Sequence, residues 1–218
     1  MKTLIVCADD FGLSPGINEG IINCLETGFV RNAAVMIDQN YSDDIIPFIK
    51  NNHQYSFGLH LVIRKENTIL RDFEEQLKLY ERKIGKKPEH ISLHCSNTIL
   101  KEYGNKIKDK TIISIFVLAK KYNLNVRGTK SSKVLSYRAC ASINDTKKEF
   151  NKIIFNTSFG INEIIVHPGI KDDPYLNSSY PSPLRANELK ILTKYILDKE
   201  INDLAIRYRD AQDIISSK

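Results

Sequence analysis

Cysteine is scarce: there are four in 218 residues, at positions 7, 24, 95 and 140. None belongs to a CxxC pair and the density is far below that of a disulfide-stapled secreted domain, so free thiols in a reducing compartment are expected. Long hydrophobic runs are missing too. The apolar stretch Leu4-Ile5-Val6-Cys7 is too short for a signal h-region and is closed by two acids, and no other segment approaches a membrane span. A cytoplasmic chain with no membrane partner is the reading. No low-complexity segment or Gly/Ser linker divides the sequence, and its length suits one domain over residues 1–218. The net charge of +6 arises from lysines such as Lys78, Lys106 and Lys147, scattered among acids and lacking the interleaved aromatics of a single-strand nucleic-acid groove. Solvated helix faces account for them, and no nucleic-acid partner is expected.

What is present is an alternation. Short runs rich in β-branched residues are predicted as strands at Thr3 to Cys7, Ala33 to Ile37, Phe57 to Val62, His90 to Leu93, Leu124 to Arg127, Ile164 to Val166 and Leu204 to Ile206. Between them lie helical patterns. The first opens at Ser14-Pro15, a cap residue followed by proline, and runs to about Thr27. Others fit Ile45 to Asn51, Leu70 to Ile84 ahead of Gly85, Lys110 to Tyr122, Asp145 to Phe155, and Ser182 to Glu200. Some seven βα units in one chain imply an α/β fold, a single-domain open or distorted (β/α) barrel.

In such folds ligands and catalytic groups gather at the carboxyl ends of the strands. Those ends carry chemistry here. "LIVC" runs into Asp9-Asp10, "SFGL" into His60, "HISL" into His94 and "EIIV" into His167-Pro168-Gly169, whereas His53 and His90 lie elsewhere. Two histidines and a carboxylate suit zinc or another first-row divalent ion and leave positions open for water and substrate. A second carboxylate can take a proton from that water, and a further histidine can return one to a leaving group. Each residue alone has a plainer account. A lone histidine after a strand commonly satisfies loop backbone, Asp9-Asp10-Phe11-Gly12 could be a polar turn, and Cys95 an ordinary buried thiol. Coincidence at four strand ends favours a site. Adjacent residues of a strand point to opposite faces, so both aspartates can face one site only where the strand breaks, which is expected at Phe11-Gly12.

"LIVCADDFGLSPGINEGI", "FGLHL", "KPEHISLH", "NVRG" and "IIVHPGIKDD…SSYPSPLRANELKIL" together resemble the YdjC-like carbohydrate deacetylases, which include chitooligosaccharide deacetylases, over nearly the whole chain. The resemblance implies a barrel-like deacetylase domain, a homodimer, and a divalent metal (Mg2+ or Zn2+) used to remove acetyl from N-acetylated sugars. Asp10, His60 and His94 look like the metal ligands, Asp9 like the general base, His167 like the general acid and Arg127 like a supporting residue. Two departures stand out. Where the family carries "DSHxHxH", this chain reads Ser92-Leu93-His94-Cys95-Ser96-Asn97-Thr98, and the insertion usual after "FGLHL" is shortened to Val62 through Leu70. A catalytically impaired metal- or sugar-binding relative, and a metal-dependent hydrolase of another substrate, are the alternatives. For Arg185 and Glu188, three apart on the last helix, a surface ion pair is the plain reading, while the resemblance implies that their segment packs near the mouth of the site; Tyr175 and Tyr180 are read as residues that could stack on a sugar.

Overall fold

Apolar strands alternating with capped helices fold into one curled parallel sheet. A computed structural model describes residues 2–94, 105–128, 133–136, 139–174, 182–194 and 203–211, apart from the side chains of 105–112. Strands β1 (Lys2–Phe11), β2 (Asn32–Val35), β3 (Ser56–Leu61), β4 (Ile91–Leu93), β5 (Lys133–Ser136) and β6 (Gly160–Val166) lie in the order β4-β3-β2-β1-β6-β5. All five pairings are parallel. Helices α1 (Pro15–Thr27), α2 (Ile46–Asn51), α3 (Ile69–Ile84), α4 (Asn105–Lys121), α5 (Ile143–Phe155) and α6 (Ser182–Lys194) complete the α/β half-barrel. The distorted (β/α) barrel expected from the sequence is the fold observed.

Local chemistry sets the element ends. The Ser14 hydroxyl accepts from the Ile17 amide, Pro15 opens α1, and Gly28 closes it at φ 91°, a left-handed turn that glycine adopts without strain. In α3, Ile69, Phe73, Leu77, Tyr80 and Ile84 recur at helical spacing and are buried, which pins this helix to the sheet. β1 lies at the middle of the sheet. Its residues Leu4 to Ala8 are wholly buried, as a parallel strand covered on both faces requires.

Three expectations are adjusted. Leu124 to Arg127 makes only a bridge, Val126 to Ile91, flanked by the Ile91 amide donating to Asn125 O (2.7 Å) and the Arg127 amide to Ile91 O (2.8 Å). Leu204 to Ile206 likewise forms a bridge at Ala205 to Leu4. The sequence reading also passed over β5, an edge strand with exposed residues, because an unburied edge carries little apolar periodicity. Of the last predicted helix, 195–200 lies outside the described residues. Among the described residues, no helix is long and apolar enough to cross a membrane.

Beneath the sheet's carboxyl rim, His90 is fully buried, stacks on Tyr208 at 4.2 Å between ring centroids, and fills the space beside Gly58. A Cβ at Gly58 would lie 2.3 Å from the His90 ring. Gly58→Ala should therefore cost about 1–3 kcal/mol by overpacking, read as a lower urea midpoint. An unchanged midpoint would mean that the imidazole yields freely.

Candidate active site

Two neighbouring carboxylates face one way because β1 carries a bulge. Its register against β2 steps from Ala8↔Ala33 to Phe11↔Val35, so Asp9 and Asp10 together stand opposite Ala34 alone. Asp10 takes φ 72°, a left-handed conformation that aspartate tolerates better than most side chains. The break comes earlier than Phe11-Gly12. Pairing resumes at Phe11, whose carbonyl accepts from the Met36 amide at 2.8 Å, and Gly12 then turns the chain at φ 105°.

The parallel sheet brings His60, on β3, and His94, just after β4, to the same rim. Asp10 Oδ1 lies 3.4 Å from His60 Nε2 and 3.1 Å from His94 Nδ1, and the two nitrogens are 3.3 Å apart. These three residues form a cluster able to hold a metal ion. Three donors at such separations can share one ion at bonds of about 2.0–2.2 Å, and two imidazoles with one carboxylate form a common set for zinc and related ions. Ser92 pairs with His60 across β3 and β4, and its Oγ lies 2.7 Å from His60 Nδ1. With an ion in the cluster, a neutral imidazole that donates Nδ1–H to this hydroxyl would offer its Nε2 lone pair as a ligand. The serine that replaces the acid of the family pattern thus supplies an acceptor for His60.

Each aspartate has its own arginine. Arg127 donates Nη1 to Asp9 Oδ2 (2.7 Å) and Nη2 to Asp9 Oδ1 (2.6 Å), while its Nε donates to Glu163 Oε1 (2.8 Å). Glu163 Oε2 in turn accepts from the Tyr208 hydroxyl at 3.0 Å and from the Gly128 amide at 3.1 Å. Arg185 donates Nη2 to Asp10 Oδ2 at 2.7 Å. Burial alone would raise the Asp9 carboxyl, but the charges of Arg127 and His60 outweigh it and hold Asp9 well below the usual range. Asp10 follows the same pattern: against burial, hydrogen bonds from His60 and His94 and then the Arg185 charge keep it ionised. Burial lowers His60. His94 is raised, since its bond to Asp10 and the two carboxylate charges exceed the effect of burial.

His167 follows β6 and is close enough for both aspartates to feel its charge; its carbonyl accepts from Arg185 Nη1 at 3.5 Å. All six sequence-predicted site residues, Asp9, Asp10, His60, His94, Arg127 and His167, therefore meet at one rim. Cys95 to Thr98, Tyr175 and Tyr180 lie outside the described residues. His90 is set apart: burial, then the Arg127 charge, push its imidazole down to about 3, which makes it a neutral packing residue. Sequence reasoning missed Ser92, Glu163 and Arg185. Arg185 and Glu188 are buried (2% and 0% exposed), so the surface ion pair expected of them is not what forms. A cation on the same helical stripe as Leu189 and Leu192 was the available signal.

Residues 3–72 match the model of a family described as YdjC-like protein. A carbohydrate deacetylase of Thermoanaerobacter pseudethanolicus is 27% identical over 92% of this chain and 93% of its own length. A chitooligosaccharide deacetylase of Proteus mirabilis is 25% identical over 97% and 98%. The chain resembles the YdjC-like carbohydrate deacetylases over nearly its whole length. The fold recurs in a crystal structure from Enterococcus faecalis V583, provisionally described as a cellobiose-phosphate cleavage protein, with TM-score 0.72 at 20% identity over 96% of this chain and 98% of that one. It recurs also in a family 4 carbohydrate esterase from Streptomyces lividans, with TM-score 0.54 at 10% identity over 94% and 91%.

Because Asp9 and Asp10 titrate below the ordinary 3.8 in the folded chain, the unfolded chain takes up more protons on acidification. Their contribution is complete above the unfolded value and is lost as pH falls through the folded ones. The thermal midpoint should fall below about pH 4, and Asp9→Asn should lose less over the same interval. Equal acid losses in both proteins would contradict a depressed Asp9.

Proposed function

We propose that this YdjC-like chain is a metal-dependent hydrolase that removes acetyl groups from N-acetylated sugars. The observation that carries the reading is the meeting of Asp10 Oδ1, His60 Nε2 and His94 Nδ1 within 3.1–3.4 Å of one another, beside a second carboxylate held by its own arginine. Relatives named carbohydrate deacetylase and chitooligosaccharide deacetylase, matched over nearly their full length, support the substrate class. Asp10, His60 and His94 would hold the ion, and the nitrogen-rich donor set favours zinc or a neighbouring first-row ion over magnesium, which prefers oxygen. When bound, a divalent ion supplies a Lewis acid that polarises the acetamide carbonyl and makes water acidic.

The chain's own residues do the rest. Asp9, ionised and clamped by Arg127, takes the proton of the attacking water; its Oδ2 lies 3.6 Å from His60 Nε2, on the side of the ligand cluster. With both oxygens already bonded to a guanidinium, Asp9 is a weak but well-oriented base, suited to water that has been made acidic. His167 hands a proton to the departing amine nitrogen as the C–N bond breaks. The carbon–oxygen bond formed leaves acetate, and the sugar leaves as a free amine.

The test is acetate release from N-acetylated mono- and oligosaccharides by metal-reconstituted protein. His60→Ala should lose metal and turnover together. Asp9→Asn should keep stoichiometric metal while kcat falls about 10²–10⁴-fold. Full turnover in Asp9→Asn would remove Asp9 from the role of base.

A further inference from the structure

Arg185 is among the largest fully buried side chains of the protein, and the molecule is shaped around it. Its stem lies over Gly169, where an added Cβ would come within 3.3 Å of Arg185 Cβ and Cδ, and its carbonyl accepts from the Gly169 amide at 3.4 Å. From the first turn of α6 the side chain reaches the bulge of β1 and donates to Asp10 Oδ2. The other oxygen, Oδ1, alone faces His60 and His94. Nη1 also reaches the His167 carbonyl, so one guanidinium ties the bulge of β1 to the loop after β6.

We propose that Arg185 is a positioning residue that commits Asp10 to a single ligating oxygen, Oδ1, and thereby sets the affinity of the Asp10-His60-His94 cluster for a divalent ion. The proposal rests on the metal-site reading above and deepens it. Two effects of Arg185 oppose each other. Its charge repels a cation, whereas its hydrogen bond fixes the orientation of a carboxylate on a strained backbone and satisfies the oxygen that would otherwise be buried without a donor. The second effect dominates because the charge is already matched by Asp10, while a buried carboxylate oxygen left without its donor favours a turned rotamer, which spoils a ligand.

The experiment measures zinc Kd by competition with a chromophoric chelator in wild type, R185M, R185K, D10N and D10N/R185M, with circular dichroism and thermal melts to establish folding. R185M should bind zinc about 10 to 100-fold more weakly, and R185K, which keeps a cation on Oδ2, should recover part of the loss. In the D10N background R185M should add little, since Arg185 acts through Asp10. R185Q carries the same expectation should R185M fail to fold. A folded R185M or R185Q with the wild-type Kd or a tighter one, or a full additive loss in the D10N background, would overturn the proposal and leave Arg185 a structural ion pair. Wild type without stoichiometric zinc, or D10N that binds as tightly as wild type, would instead overturn the metal-site reading beneath it.

Discussion

Two adjacent carboxylates, 3% and 2% exposed, impose the constraint that organises this protein. Removing a charge from water costs several kcal/mol even after relaxation, and a like charge next door adds to it, so Asp9 and Asp10 can both stay ionised only where cations meet them. Arg127 meets Asp9 and Arg185 meets Asp10. The two arginines come from different parts of the fold, one from the chain following the Val126 bridge and one from α6, and each is anchored again, Arg127 on Glu163 and Arg185 on the His167 carbonyl. Much of the polar interior serves that arrangement: Tyr208 from the C-terminal segment donates to Glu163, and its amide donates to Asn32 Oδ1.

The pairing also separates the two acids chemically. Arg127 engages both oxygens of Asp9, whereas Arg185 engages one oxygen of Asp10 and leaves the other toward the imidazoles. Neighbours in sequence with the same side chain are thus held in different ways by their partners. The bulge makes this possible, because a regular β1 would send the two carboxylates to opposite faces of the sheet.

The half-barrel and the groups at its rim were legible because they rest on local signals: apolar runs that end in Asp9-Asp10, His60, His94 and His167, and helices punctuated by Ser14-Pro15 and Gly85. β5 was not, since an exposed four-residue edge leaves no apolar pattern to read. The bulge was half legible. The need for a break was clear from side-chain alternation, but its place depends on pairing with β2, which no local residue encodes. Ser92 and Glu163 escaped notice because their roles exist only across strands, in register with His60 and beneath Arg127. Arg185 lies 175 residues from the aspartate it serves, and an arginine spaced three residues from a glutamate reads as a surface pair until burial shows otherwise.

Anomalous diffraction from zinc-soaked crystals tests the division of labour between the two aspartates most directly. The account predicts a single zinc held by Asp10 Oδ1, His60 Nε2 and His94 Nδ1, with Asp10 Oδ2 still on Arg185 and Asp9 still clamped by Arg127. Zinc bound by both oxygens of Asp10, by Asp9 itself, or at another place in the fold would contradict it.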